Sequence, residues 1–154
     1  MFEEFKELLS SFNARNVRYL IVGGYAVSLY AQARSTQDLD VWVASDPANA
    51  EAVYAALQEF GAPLQGLTAA DFTQKGKFFR MGRVPFAVDI LPEVSGLDFE
   101  PAWAHRVHAV VDQQTGLQAF FISPADLITN KLASGRPQDL ADAAALRKAA
   151  KIRG

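Results

Sequence analysis

From Tyr19 to Ala44 the chain reads YLIVGGYAVSLYAQARSTQDLDVWVA, and its hydrophobic period changes twice within that span. Tyr19 to Val22 is a β-branched and aromatic run halted by Gly23-Gly24, which predicts a buried strand ending in a tight turn. Ala26, Val27, Leu29, Tyr30 and Ala31 are too apolar for a surface loop and predict a short buried helix. From Asp38 the pattern alternates, placing Leu39, Val41 and Val43 on one face of a strand and Asp38, Asp40 and Trp42 on the other.

The flanking segments have clearer periods. Phe2, Phe5, Leu8, Leu9 and Phe12 recur at helical spacing, with Glu3 and Glu4 where the helix dipole favours acids, and Asn16 ends the run. After the acidic strand, Ser45 or Asp46 can cap a helix with Pro47 at its first position, whose apolar side is Val53, Ala56, Leu57 and Phe60 until Gly61 and Pro63 stop it. Thr68 and Asp71 are spaced to cap one helical turn. KGKFFRMGRVPFAVDIL then predicts two strands joined at Gly82-Arg83, and Phe99 to Arg106 a short helix. Val107–Val111 and Leu117–Ile122 form a further strand pair around the turn at 112–116. Ser123-Pro-Ala-Asp126 opens a helix that breaks at Gly135-Arg-Pro137, and a last helix follows from about Gln138 to Lys151. This order predicts an α/β (α+β) fold: a mixed β-sheet with helices mainly on one side, and a helical C-terminus.

Carboxylates two apart on a strand have roots about 6–7 Å apart, so their oxygens can converge on one point. Two ionised groups converging in this way repel unless a cation lies between them. Magnesium suits that place, because it takes oxygen ligands from one or two carboxylates together with substrate phosphates. A third acid stands in PFAVDILPE, where Phe86, Val88 and Ile90 face one way and Asp89 the other. The alternative is that Asp38, Asp40 and Asp89 are ordinary strand acids paired with Arg34, Arg80 or Arg83.

Gly23-Gly24, thirteen intervening residues, Asp38-Leu-Asp40 and the strand-borne Asp89 together resemble the signature of the DNA polymerase β-like nucleotidyltransferase superfamily. Arg34-Ser-Thr36-Gln-Asp38-Leu-Asp40 and the later NKLASGRPQDLADAAAL resemble its minimal bacterial branch, of the abortive-infection toxin type (AbiEii/AbiGii). The resemblance spans Val17 to Leu146. It implies transfer of a nucleoside monophosphate from a nucleoside triphosphate to a hydroxyl on tRNA, a protein or a small molecule. It also implies that Asp38, Asp40 and Asp89 bind two Mg2+ or Mn2+ ions, that Gly23 and Gly24 hold the triphosphate, and that a toxin or antitoxin partner exists. Gly24 departs from the serine of many relatives, which leaves phosphate contacts here to backbone N–H groups and a helix N-terminus. A catalytically silent module that binds a partner protein is the competing reading.

Other residues are more equivocal. Arg34 and Thr36 are placed to orient the acids or reach a phosphate, or else simply to pack a loop. Lys131 shares an otherwise apolar helix side with Leu127, Ile128 and Leu132, as a snorkelling lysine or a cation for the triphosphate. Asp139 suits a helix start or an ion pair with Lys131 or Arg136. Lys75, Lys77, Arg80 and Arg83 make a basic hairpin, read either as a solvated edge or as a contact for an acceptor such as RNA. His105 and His108, at a helix-to-strand junction with no cysteine nearby, are read as structural.

Length and charge narrow these readings. With 154 residues, half of them hydrophobic, the chain is expected to build a single domain over residues 1–154. A net charge of −2 supplies no overall basic field, so any nucleic-acid contact must be local. No cysteine is present for a disulfide or thiolate site. An acidic amphipathic start and the lack of a run of about 18 apolar residues predict a cytoplasmic protein without a membrane segment.

Overall fold

The computed structural model describes residues 1–31, 38–83 and 86–153, with the side chains of Arg83 and Arg153 left aside. In chain order the elements are α1 (Glu3–Ala14), β1 (Tyr19–Val22), α2 (Gly23–Tyr30), β2 (Leu39–Val43) and α3 (Pro47–Phe60), then a 3-10 turn (Ala69–Thr73), β3 (Phe79–Arg83), β4 (Phe86–Leu91), α4 (Phe99–Ala104), β5 (Val107–Asp112), β6 (Leu117–Phe121), α5 (Pro124–Ser134) and α6 (Pro137–Arg153). The strands form one mixed sheet in the order β3-β4-β2-β1-β6-β5. β1 runs antiparallel to β2 and parallel to β6, and β2 runs parallel to β4. This is the mixed α/β architecture that the alternating periods predict.

Register divides the sheet into two faces, because residues paired across strands point the same way. Ile21, Val41 and Ile90 lie in one row and are fully or almost fully buried. Phe5, Leu8, Leu9 and Phe12 of α1 and Val53, Ala56 and Leu57 of α3 belong to the same core cluster. Burying a leucine- or phenylalanine-sized side chain contributes about 1.5–3 kcal/mol, so this layer supplies most of the driving force. Tyr19 ties it down, donating from its hydroxyl to Asn13 Oδ1 at 2.8 Å, while Asn13 donates to the Gln118 carbonyl at 2.8 Å.

Caps fix where the helices begin and end. Asp46 accepts from Asn49 N at 3.0 Å ahead of Pro47, and Gly61 closes α3 in the left-handed conformation. Ser123 accepts from Asp126 N at 3.2 Å and opens α5. Thr68 and Asp71 form the capping box of the 3-10 turn.

Two expectations change. Phe2 is half-exposed ahead of α1, and its ring meets the exposed Phe86 at 4.3 Å between centroids. The β3–β4 hairpin does not turn at Gly82-Arg83: both belong to β3, with Gly82 opposite Ala87 and Arg83 opposite Phe86. The connection therefore lies beyond Arg83, outside the described residues, and every cross-strand pair shifts from the expected register. Among the described residues no helix is long and apolar enough to cross a membrane.

Asn49 is the polar clamp of this architecture. It is 5% exposed, accepts from Arg18 N at 2.8 Å, and donates to the Arg18 and Ala44 carbonyls at 3.1 and 2.8 Å. It thereby joins α3 to the start of β1 and the end of β2. Asn49→Ala leaves those backbone groups without partners and is expected to lower unfolding stability by about 2–3 kcal/mol, read as a lower urea midpoint at unchanged m-value.

Candidate active site

The face opposite α1 and α3 carries a row of charge. Arg80 pairs with Asp89 across β3 and β4, Asp89 with Asp40 across β4 and β2, and Asp40 with Val22 across β2 and β1. Four strands thus put Arg80, Asp89, Asp40 and Val22 side by side, with Gly23 immediately after. Neighbouring strands lie about 4.8 Å apart, so Asp40 and Asp89 are set close together by the backbone itself. Their carboxyls share a hydrogen bond.

Burial raises the Asp40 carboxyl to about 6, with further upward pressure from the charges of Asp89 and Asp38 and from the Asp89 hydrogen bond, against an opposing pull from Lys131. Asp89 is also raised, by burial first, with the Arg80 charge acting the other way. Asp38 stands just before β2. Its Oδ2 meets Arg80 Nη2 at 3.3 Å and its Oδ1 accepts from Ala87 N at 3.3 Å. Arg80 Nη1 lies 3.1 Å from Asp89 Oδ2, so one guanidinium spans Asp38 and Asp89. The ion pairing of strand acids with Arg80 is therefore present alongside the clustering of the acids.

The glycine turn abuts this row. Gly23 has φ +69°, and a Cβ there would collide with the Asp40 carboxylate, so the position requires glycine on both counts. Gly23 and the buried Gly24 are the first residues of α2, and no side chain caps that end among the described residues. Its first N–H groups therefore lack intrahelical partners beside the acids, an arrangement that suits an anion.

α5 and α6 lie behind α2. Lys131 is 7% exposed, so it does not snorkel. Its Nζ lies 3.4 Å from Asp139 Oδ1 and 3.1 Å from Asp142 Oδ2. Asp139 also accepts from Arg136 Nε at 2.7 Å, and that guanidinium holds its carboxyl below the usual range. Asp40 is within electrostatic reach of both Lys131 and Arg136. Asp142 was not visible as a partner in the sequence. Its signal is the i, i+3 spacing from Asp139, which puts both acids on the lysine side of α6.

Arg34 and Thr36 lie outside the described residues. His105 and His108 have other partners: His105 Nδ1 lies 3.1 Å from Asp126 Oδ2, and His108 packs its ring on Phe120.

Three hard carboxylate oxygens, an excess of negative charge reflected in the raised Asp40, and a glycine cradle make a donor set of the kind divalent cations take. In this conformation no group of three acidic or histidine side chains among the described residues is gathered closely enough to hold an ion. Asp38 is instead bound to Arg80 and Ala87 N.

An acidic pair on adjacent parallel strands, set against a diglycine helix start, is the arrangement the resemblance to nucleotidyltransferases anticipates. The chain belongs to the DUF6036 family, described as nucleotidyltransferase of unknown function, whose model matches residues 1–150. No curated protein matches it in sequence. Among solved structures it is similar to the lincosamide antibiotic adenylyltransferase LnuA in its lincomycin-bound form, with TM-score 0.60, 16% identity and 96% of each chain covered. It is also similar to the antibiotic-resistance factor ANT(2'')-Ia, with TM-score 0.58, 16% identity, 98% of this chain and 83% of that one covered. At such identity the likeness is one of fold.

Two outcomes follow from the geometry. Gly23→Ala forces both the backbone strain and the overlap with Asp40, and is expected to lower stability by about 1–2 kcal/mol or more. In an Asp40→Ala background the same change should do less harm, a coupling that a double-mutant cycle of thermal melts measures. Asp40 titrates near 6 in the fold against 3.8 normally, so ionising it opposes folding. Stability should therefore fall by about 2–3 kcal/mol as pH rises from about 4 through 6, and Asp40→Asn should flatten that slope in denaturant titrations across the range.

Proposed function

We propose that this protein transfers a nucleoside monophosphate from a nucleoside triphosphate to a hydroxyl acceptor, with Asp38, Asp40 and Asp89 as ligands for two Mg2+ or Mn2+ ions. The observation that carries this reading is the Asp40–Asp89 register pair with Gly23 pressed against it. When bound, the ions would neutralise the acids, polarise the triphosphate and lower the pKa of the acceptor hydroxyl.

The chain's own residues divide the remaining work. Gly23 and Gly24 offer uncapped backbone N–H groups and room for phosphate to approach the sheet. Lys131 and Arg136 add positive charge around Asp40 that suits a triphosphate, the first locked by two acids and the second at the surface. Asp89, less buried than Asp40, is placed to take the proton of the attacking hydroxyl. Attack at the α-phosphorus forms the new ester bond, and pyrophosphate leaves with the bridging electron pair. Arg34 and Thr36 belong to the same reading as phosphate contacts. So do a single working domain and a cytoplasmic location.

A small-molecule hydroxyl is the acceptor we favour, by analogy with the antibiotic adenylyltransferase whose fold this chain resembles. Acceptors on tRNA or protein rest on the superfamily resemblance, and a toxin–antitoxin pairing of the abortive-infection type rests on the resemblance carried by residues 34–40 and NKLASGRPQDLADAAAL. One observation favours the competing reading of a silent partner-binding module: the Arg80 guanidinium already spans Asp38 and Asp89.

Incubation with Mg2+ or Mn2+ and each α-labelled nucleoside triphosphate tests the proposal, with hydroxylated antibiotics, bulk tRNA or no addition as acceptor. Label should move to one acceptor class, and Asp40→Asn should reduce transfer by about a thousandfold or more, a loss of about 4 kcal/mol of transition-state stabilisation. Transfer undiminished in Asp40→Asn, or no transfer from any nucleotide, would overturn it.

A further inference from the structure

The acids of the row already hold a cation, and it is a side chain of this chain. Arg80 Nη1 lies 3.3 and 3.1 Å from the two oxygens of Asp89, and Nη2 lies 3.3 Å from Asp38. A guanidinium presents several donors in one plane, so it can bridge two carboxylates that would otherwise repel. Asp38 is held a second time by Ala87 N, and both holds come from the β3–β4 ribbon.

These contacts are loose beside two other arginine pairs among the described residues. Arg18 meets Glu100 at 2.6 Å, and Arg136 meets Asp139 at 2.7 Å. Charged N–H to carboxylate bonds are typically about 2.7–2.9 Å, so the Arg80 contacts lie at the weak end. The Arg80 side chain is also 44% exposed, against 13% for Asp89, and β3 is an edge strand. It therefore has solvent to move into and gives up little on leaving. A guanidinium does not lose its proton at any physiological pH, so only movement removes its charge from the acids.

We propose that Arg80 is a displaceable counter-ion that competes with a divalent cation for Asp38 and Asp89 and must leave them for that cation to bind. The inference rests on the metal-binding reading above and adds to it a positioning residue that competes with the metal. Arg80 offsets the repulsion between the like charges of Asp38 and Asp89, and metal binding becomes an exchange of one cation for another.

The test is titration with Mn2+ alone, without nucleotide, followed by electron paramagnetic resonance of the free ion. Wild type is compared with Arg80→Gln, Arg80→Lys, Lys77→Gln and Asp40→Asn, each first checked for folding by circular dichroism. Arg80→Gln should bind Mn2+ about fivefold or more tightly than wild type, the change expected when about 1 kcal/mol of competing ion pairing is removed. Arg80→Lys keeps the charge but not the planar fork, so it should tighten less. Lys77→Gln removes a charge that is bonded to Asp71 rather than to the row, and should leave Mn2+ affinity unchanged.

Equal or weaker binding by Arg80→Gln, with loss in Asp40→Asn, would overturn the role of Arg80 and leave the metal reading intact. Binding absent from every variant, or undiminished in Asp40→Asn, would remove the metal reading and this inference together.

Discussion

The constraint on which this molecule turns is a register. β2 and β4 run parallel with Asp40 opposite Asp89, so the backbone places two carboxyls side by side on a largely buried face. No side-chain rotation undoes that proximity, because it is fixed by hydrogen-bonded strands. The rest of the row answers it: an Asp40 carboxyl whose pKa burial and its acidic neighbours push up, a guanidinium drawn in from the edge strand, and a glycine where any side chain would strike the carboxyl. The opposite face is apolar and nearly dry, with α1 and α3 packed into the core cluster. One side of the sheet is thus apolar, while the other mixes the buried Leu20, Val22 and Trp42 with charge whose burial works against the fold.

Local signals made much of this legible from the residues alone. β1, β2 and α3 were readable because a stop such as Gly23 or Gly61, a cap such as Asp46 and an unbroken period coincide in sequence. The alternation around Asp40 and Asp89 gave their faces, since period two needs no knowledge of neighbours. Which strand neighbours which is a long-range fact, so the residues alone offered Arg80 only as one of three arginines that could pair with the acids, beside Arg34 and Arg83. A loop set at Gly82-Arg83 would have opposed Asp89 to Gly76, whereas the observed register opposes it to Arg80. Lys131 was legible in part, since Asp139 stood as a candidate partner and Asp142 did not. Its helix looks one-sidedly apolar, and only the packing of α6 brings Asp139 and Asp142 to meet the ammonium. Membership of the DUF6036 family accords with the superfamily resemblance, but it does not select the abortive-infection branch.

The Lys131 cluster and the acid row are two solutions to the same electrostatic problem. Lys131 is satisfied by two acids at 3.4 and 3.1 Å in a setting almost closed to water, and Arg136 covers Asp139 from outside. Removing one member would strand the others, so this group behaves as fixed architecture. The row at β2–β4 is held more slackly and opens to solvent through Arg80. A site that must accept and release charged ligands is better served by the second arrangement than by the first.

Beneath the β3–β4 ribbon, on the face away from the acids, lies an apolar pocket of about 520 Å³ lined by Phe2, Phe5, Phe60, Met81, Phe86 and Val88 among others. The outer edge of the sheet is therefore propped over a hollow, with fewer atoms to grip it than the strands further in. The same ribbon carries Arg80 at one end of the charged row. A hollow on the greasy side and an exposed cation on the polar side are thereby separated by nothing more than the thickness of a single strand pair.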